Sequence, residues 1–464
     1  MAVCSSISIS QVEYLRLDAD FYHPKYLQEL ETWRTLDECI GVAKLSHLIS
    51  APVRTGRTPS SRHIKEDDEI VPFIKTDGIR EGRINFDSAG ELPKRVLNGS
   101  DFIPADSVVV TIIGATPEIV GRAAIVRDAD PWCVTNQNVA VITTNSKCDP
   151  YFLTAYFQTS LGRDQLWRHS RRTEQVNLNC REVERVLVPT PDISLQNEIG
   201  DLVRASFAAT DDSESLYTQA QQLLESELGL DKLRFDKPVG YTARFSELEL
   251  SRRADPEYFD PVAASIVKRI TAFEHIKLGS SFSVGNGFPW NSKKFLTDNS
   301  GEPVVRIRNI RPTHIDIDEL TSIEPAYTLK VGFHKASKGD IVVGMDGIKY
   351  FYASLLEGDC YVNQRVAHLK QNPSTKISPE YATFIINSRI GQSQLLRDMT
   401  IATTVGHITN RNIAKLVIPY VSDSFHNQIT SLVRTSIDNK QQSKQLLDQA
   451  KSRVEQLIEE AVRA

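Results

Sequence analysis

The chain states its pattern twice, about 230 residues apart, so any fold it adopts must be built from two related halves. Residues Arg181 to Ser206 align with Arg411 to Ser436 at one constant offset (411 − 181 = 230), pairing Pro189/Pro419, Ser194/Ser424, Asn197/Asn427, Ile199/Ile429, Val203/Val433, Arg204/Arg434 and Ser206/Ser436. Upstream the offset drifts, as short loop insertions require. Asn136-Gln137 meets Asn363-Gln364 (363 − 136 = 227), and Asp18-Ala-Asp-Phe-Tyr-His-Pro24 meets Asp255-Pro-Glu-Tyr-Phe-Asp-Pro261 (255 − 18 = 237). Two related modules can present two similar surfaces around a pseudo-two-fold axis, and a DNA duplex offers two such faces.

Each half runs in the same order: an arm and helix, a mixed segment of strands and turns, then one long helix. The expected segments are an N-terminal arm and helix (1–40), a first globular module (41–193), a central long helix with linker (194–236), a second arm (237–275), a second module (276–422) and a C-terminal long helix (423–464). Short β-type runs such as Ser107-Val-Val-Val-Thr-Ile-Ile113 and Asp340-Ile-Val-Val343, broken by Gly, Pro, Asn and Asp, predict mixed α/β (α+β) modules. In the long helices Ile199, Leu202, Ser206, Ser213, Leu216 and Ala220, and Ile429, Leu432, Ser436, Ser443, Leu446 and Ala450, fall at coiled-coil spacing. Small residues every seventh place in both helices let two backbones approach closely. An antiparallel pair of ~34-residue helices would be a rod of roughly 50 Å between the modules.

Composition narrows the class further. A formal charge of −5 excludes a general polyanion binder, so nucleic-acid contact must come from local basic clusters. No apolar run is long enough to span a membrane and Met1 to Ser10 lacks the pattern of a signal peptide, so a cytoplasmic protein is expected. The six cysteines form no C-x-x-C pair and no zinc spacing, so no metal is expected, and Cys133 and Cys360, aligned just before the Asn-Gln pairs, read as buried strand residues.

Taken in order, these segments resemble a known family. Lys44-Leu45, Thr55-Gly56-Arg57-Thr58-Pro59-Ser60 and Val71-Pro-Phe-Ile-Lys-Thr-Asp-Gly-Ile79 in the first half are followed, in the second, by Lys277-Leu278-Gly279, Gly285-Asn-Gly-Phe-Pro-Trp-Asn-Ser292 and Gly301-Glu-Pro-Val-Val-Arg-Ile-Arg-Asn-Ile310. Gly339-Asp-Ile-Val-Val343, the Asn-Gln pairs and Ile408-Thr-Asn-Arg-Asn-Ile413 complete a set that resembles the DNA-specificity (S) subunits of type I restriction-modification systems. One departure is that the glutamine usual at the helix entry, Gln196 in the first copy, is His426 in the second. The resemblance implies a non-catalytic subunit that binds a split double-stranded DNA target. It implies partner methyltransferase (M) subunits carrying S-adenosylmethionine, a restriction (R) nuclease subunit as a further partner, and no cofactor on this chain.

The residues agree with that division of labour. The sequence holds no Asn-Pro-Pro-aromatic motif for a flipped adenine, no methyl-donor glycine loop and no phosphate loop. Residue types that read DNA occur at matching places. Arg54, Arg57 and Arg62 surround the Thr-Gly-x-Thr-Pro turn, and Lys293 and Lys294 follow its counterpart; Lys75 and Arg306 align, with Arg308 two residues on. Before the last strand of each module comes a basic, amide- or hydroxyl-rich loop, with Arg168, Arg171, Arg172, Gln175 and Asn177 in one copy and Arg397, Thr404 and His407 in the other. Arginine forks and amides match guanine and adenine edges, and spare cations hold phosphates. Rival readings are a nucleic-acid-binding adaptor of another defence system uncoupled from methylation, a fused enzyme, and a two-module scaffold.

Overall fold

Ser107–Thr111 and Val139–Thr143 are runs dominated by β-branched residues, the pattern of strands covered on both faces. In the computed structural model they pair antiparallel, and their alternate side chains part into two cores: Val108, Val110, Ala140 and Ile142 face helices, while Val109, Val139 and Val141 pack with Ala124 and Val126 on the other side. Ile341–Gly344 and Val366–Gln371 repeat this, with Ile341, Val343, Ala367 and Leu369 in one core and Val342 and Val366 in another. The structure describes residues 7–8, 12–13, 16–60, 62–80, 82–114, 119–171, 176–233, 240, 242–296, 300–316, 320–402 and 404–463.

The chain divides into two units, Met1–Ala208 with Ser443–Ala464, and Ala209–Gln442. The first holds a four-stranded antiparallel sheet in the order Arg54–Thr55, Val139–Thr143, Ser107–Thr111, Ala123–Val126. The second holds Phe282–Asn286, Val366–Gln371, Ile341–Gly344, Ala353–Leu355 in the same order. Each also has a second, mixed sheet with one parallel pairing, Val134–Thr135 on Ile70–Ile74 and Tyr361–Val362 on Glu302–Val305. The repeat seen in sequence is therefore a repeat of mixed α/β topology.

Two short helices follow the central sheet in each unit, Pro150–Gln158 with Ser160–His169, and Pro379–Asn387 with Arg389–Asp398. Asp149 and Ser378 cap the first of each pair, with proline at the first helical position. The buried Gln196 amide oxygen accepts the Asp149 N–H at 3.1 Å, and His426 Nε2 accepts the Ser378 N–H at 3.2 Å. The substitution of His for Gln at this helix entry thus keeps the same acceptor.

The long helices run Ile193–Leu228 and Asp423–Arg463. The first ends where Gly229 takes a left-handed φ of 62° and the Leu230 N–H returns to the Glu225 carbonyl at 2.8 Å, a glycine-terminated cap. Each long helix lends part of its length to both units. Ile199, Val203 and Phe207 join Ala450, Val454 and Ile458 in the first core, and Ala220 and Leu224 join Ile429 and Val433 in the second. Within the first unit, Ser206 meets Ser443 at 3.3 Å and Glu198 lies 3.9 Å from Arg453, so the helices run antiparallel there.

Candidate nucleic-acid interface

Both glycine turns are built by close approach. A Cβ on Gly56 would lie 1.9 Å from the Thr135 carbonyl oxygen, and one on Gly287 would lie 2.2 Å from that of Asn363, so only glycine fits where each turn presses on the strand leading into its Asn-Gln pair. The Thr58 hydroxyl donates to Gln137 Oε1 at 2.7 Å, and the Gln364 N–H donates to the Phe288 carbonyl at 3.0 Å. These contacts fix where the basic residues of the turns project.

Those basic residues differ in freedom. Arg57 forks onto Asp101 (2.7 and 2.6 Å) and holds that carboxyl below its ordinary range. Arg54, half-buried, donates to the Phe102 carbonyl at 2.7 Å. Arg62, Lys75 and Lys293 are exposed; Lys294 is exposed and 3.2 Å from Glu324. Arg306 is half-buried with its guanidinium over Phe295, and Arg308 is exposed, donating to Thr321 Oγ1 at 3.2 Å.

The loops before the last strands are hairpins. In the second unit Thr400–Ala402 pairs with Val405–His407, which pairs with Asp346–Gly347. Thr404 at the tip is exposed, and His407 Nδ1 lies 2.6 Å from Asp346. In the first, Arg171 and Asn177 exchange backbone bonds of 2.7 and 3.1 Å and Val176–Asn177 pairs with Ile113–Gly114. Asn177 and Arg171 are exposed, Arg171 2.7 Å from Glu182; Arg172 and Gln175 lie outside the described residues.

Two expected DNA contacts are placed elsewhere. Arg168 is buried, 6% exposed, with its guanidinium 4.4 Å over the Phe21 ring and its Nε donating to the Phe21 carbonyl at 3.3 Å. Arg397 is half-buried, lies 4.6 Å over Tyr258 and donates to the Tyr258 carbonyl at 3.2 Å. Both face the arms rather than solvent, because each sits on the last turn of its helix where an arm crosses it.

The helix seam is also more specific than spacing alone conveys. Ile199, Ser206, Ser213 and Ala220, and Ile429, Ser436, Ser443 and Ala450, are buried, whereas Leu202, Leu216, Leu432 and Leu446 are half-buried flanks. Val203 and Val433 are buried between the first two of each set, and Leu224 and Val454 are buried one turn beyond the last. In the second unit the serines bond reciprocally, Ser213 Oγ to the Ser436 carbonyl at 2.7 Å and Ser436 Oγ to the Ser213 carbonyl at 2.8 Å. In the first unit Arg83 enters between the helices, donating to Ser206 Oγ at 2.9 Å and Ser443 Oγ at 2.8 Å.

The sequence reading passed over one exposed group beside the second hairpin. Ile348, Lys349, Tyr350 and Tyr352 are exposed between Asp346–Gly347 and Ala353–Leu355, and the two tyrosine rings stack with an interplanar angle of 4°. The run Ile348-Lys-Tyr-Phe-Tyr352 carries the signal, a cation among aromatics in a loop. The aligned thiols of Cys133 and Cys360 are buried and pushed up to about 12 by that burial, so they remain protonated and pack as small apolar groups. Among the described residues no group of His, Cys, Asp and Glu could hold a metal ion, and no helix is long and apolar enough to cross a membrane.

Comparison with known proteins agrees with the resemblance read from sequence. Residues 42–221 match the family model of the type I restriction modification DNA specificity domain. The type I restriction enzyme EcoKI specificity subunit of Escherichia coli (strain K12) is 21% identical over 367 residues, 76% of this chain and 72% of that protein. Among solved structures, a type I restriction-modification S subunit from M. genitalium aligns at 11% identity and a TM-score of 0.40, over 91% of this chain and 94% of that one. The HsdS subunit from Thermoanaerobacter tengcongensis aligns at 14% identity and a TM-score of 0.30, over 91% and 96%.

Proposed function

From the match of residues 42–221 to the family model of the type I restriction modification DNA specificity domain, we propose that this chain is the non-catalytic specificity subunit of a type I-like restriction-modification complex. It binds a bipartite target in double-stranded DNA, one half-site per module, and directs partner adenine methyltransferase subunits, which carry the S-adenosylmethionine, to that target in the cytoplasm. The long helices, as an antiparallel pair, set the distance between half-sites and dock the methyltransferases.

The observation that carries this reading is the duplicated frame. A glycine turn locked on an Asn-Gln strand and a hairpin before the last strand recur with one strand order in both units. Arg62, Lys75, Lys293, Arg308, Asn177 and Thr404 stand exposed on or near these elements, and such side chains suit phosphates and base edges. Neither module carries the Asn-Pro-Pro-aromatic motif, the methyl-donor glycine loop or the phosphate loop.

Methylome sequencing of cells with and without the gene tests the proposal. The expected result is one asymmetric split motif whose adenine methylation disappears on deletion, together with no methyl transfer by the purified chain alone. Methylation by the isolated chain overturns the non-catalytic assignment. An unchanged methylome, with nucleic-acid binding retained, favours an adaptor uncoupled from methylation.

A further inference from the structure

The acidic-aromatic-proline stretches of the two arms form the same clasp twice. In the first unit Arg16, 1% exposed, forks onto Asp18 (2.9 and 2.9 Å) and donates to the carbonyls of Arg168 (3.2 Å), His169 (2.9 Å) and Ser170 (3.3 Å). In the second, Arg253 forks onto Asp255 and donates to the carbonyls of Asp398 (2.9 Å) and Met399 (2.7 Å). Each clasp then closes on an aromatic ring that two guanidiniums approach, Phe21 with Arg16 (4.3 Å) and Arg168 (4.4 Å), Tyr258 with Arg253 (4.9 Å) and Arg397 (4.6 Å). Arg16/Arg253 and Phe21/Tyr258 keep the arm offset (253 − 16 = 237; 258 − 21 = 237).

What the clasps grip decides their role. The carbonyls belong to the last turns of Ser160–His169 and Arg389–Asp398 and to their C-cap residues Ser170 and Met399, groups a helix leaves without partners and a cation suits. The next residue begins the hairpin in each case: Arg171 follows Ser170, and Thr400 follows Met399. Beyond the hairpin the chain returns to the same place. Glu182 Oε1 lies 3.3 Å from Arg16, and Asn412, its counterpart (412 − 182 = 230), donates to the Asp398 carbonyl at 3.3 Å. Stability alone is a weak reason to bury an arginine, because an apolar replacement often serves as well. A fork with five fixed donors holds several carbonyls in one geometry, which a lysine cannot do.

We propose that the arms are latches for the hairpins: Arg16 and Arg253 are positioning residues that fix the direction in which each hairpin leaves its helix, and so set discrimination at one half-site each without touching DNA. The effect on discrimination rests on the proposed function; the effect on the hairpin does not.

Two measurements on the full-length chain separate them. Hydrogen exchange is followed in wild type, Arg253→Lys and Arg16→Lys, which keep the charges opposite Asp255, Asp18 and Glu182 and are first checked for cooperative melting. Arg253→Lys should speed exchange of residues 400–407 about tenfold, the factor that about 1.4 kcal/mol represents, and leave residues 176–178 unchanged; Arg16→Lys should do the reverse. Unchanged exchange in both hairpins, or equal loosening of both, overturns the latch. In cells, Arg253→Lys should broaden the methylated motif in one half-site and Arg16→Lys in the other, with the amount of the chain unchanged. A wild-type motif that neither variant broadens sinks the positioning role even if the hairpins loosen. Should wild type give no motif at all, the proposed function falls and the exchange result alone decides the latch.

Discussion

His169 shows how far one buried side chain can tie stability to pH. Burial, with Arg168 and Arg16 nearby, lowers its pKa from 6.5 to about 3, and its ring lies edge-on to Phe21. The unfolded chain takes up a proton below pH 6.5 that the folded chain refuses until about pH 3, so the stability His169 contributes is complete above 6.5 and is lost as pH falls toward 3. Glu29, raised to about 7 by burial and by Asp164, acts in the opposite direction, favouring the folded state below 4.5 and ceasing to do so as pH rises through about 7. Comparing wild type with His169→Leu isolates the first effect. Lowering pH from 6.5 should depress the wild-type melting temperature relative to the variant by roughly 3 °C per pH unit, read by calorimetry; parallel curves would show that His169 is not the titrating group.

At the scale of elements, the serine seam makes a sharper demand than small volume. Ser213 and Ser436 each satisfy the other's backbone carbonyl, which fixes both separation and register. Ser213→Leu should cost about 1–3 kcal/mol by overpacking, and Ser213→Ala about 1 kcal/mol for the lost hydrogen bond, both measured by urea unfolding. Equal, negligible losses would mean that this crossing is loose. What the sequence made legible follows from physics of short range. Runs dominated by β-branched residues announced Ser107–Thr111 and Val139–Thr143, and heptad spacing picked out Ser206, Ser213, Ser436 and Ser443. The second inward row was assigned one residue early, to Leu202 rather than Val203, because both are apolar and only the facing surface decides between them. Arg168 and Arg397 were legible as basic but not as clasped, since their partners Phe21 and Tyr258 lie 147 and 139 residues away. The aligned arginines 16 and 253, at the offset of the arm stretch, were the available signal.

At the scale of the whole molecule, the proposed spacing role can be tested by lengthening both long helices together. Four residues inserted between Ser206 and Ser213 and four between Ser436 and Ser443 keep both serine pairs and add ~6 Å of helix. The methylated motif should gain one or two base pairs between unchanged half-sites, at roughly 3.4 Å per step, as read by methylome sequencing; an unaltered gap would place the control of spacing in the partner subunits. Arg83 bears on a different question. It fills the crossing between Ser206 and Ser443, while the crossing between Ser213 and Ser436 closes by direct serine bonds. The duplication is therefore labelled, with a cation seated under one copy of the seam. A second copy of residues 276–422 installed at 41–193 would arrive without Arg83 and so without its bonds to Ser206 and Ser443 at that crossing. Halves alike in topology are thus told apart at their seams, and Arg83 gives the chain a head and a tail.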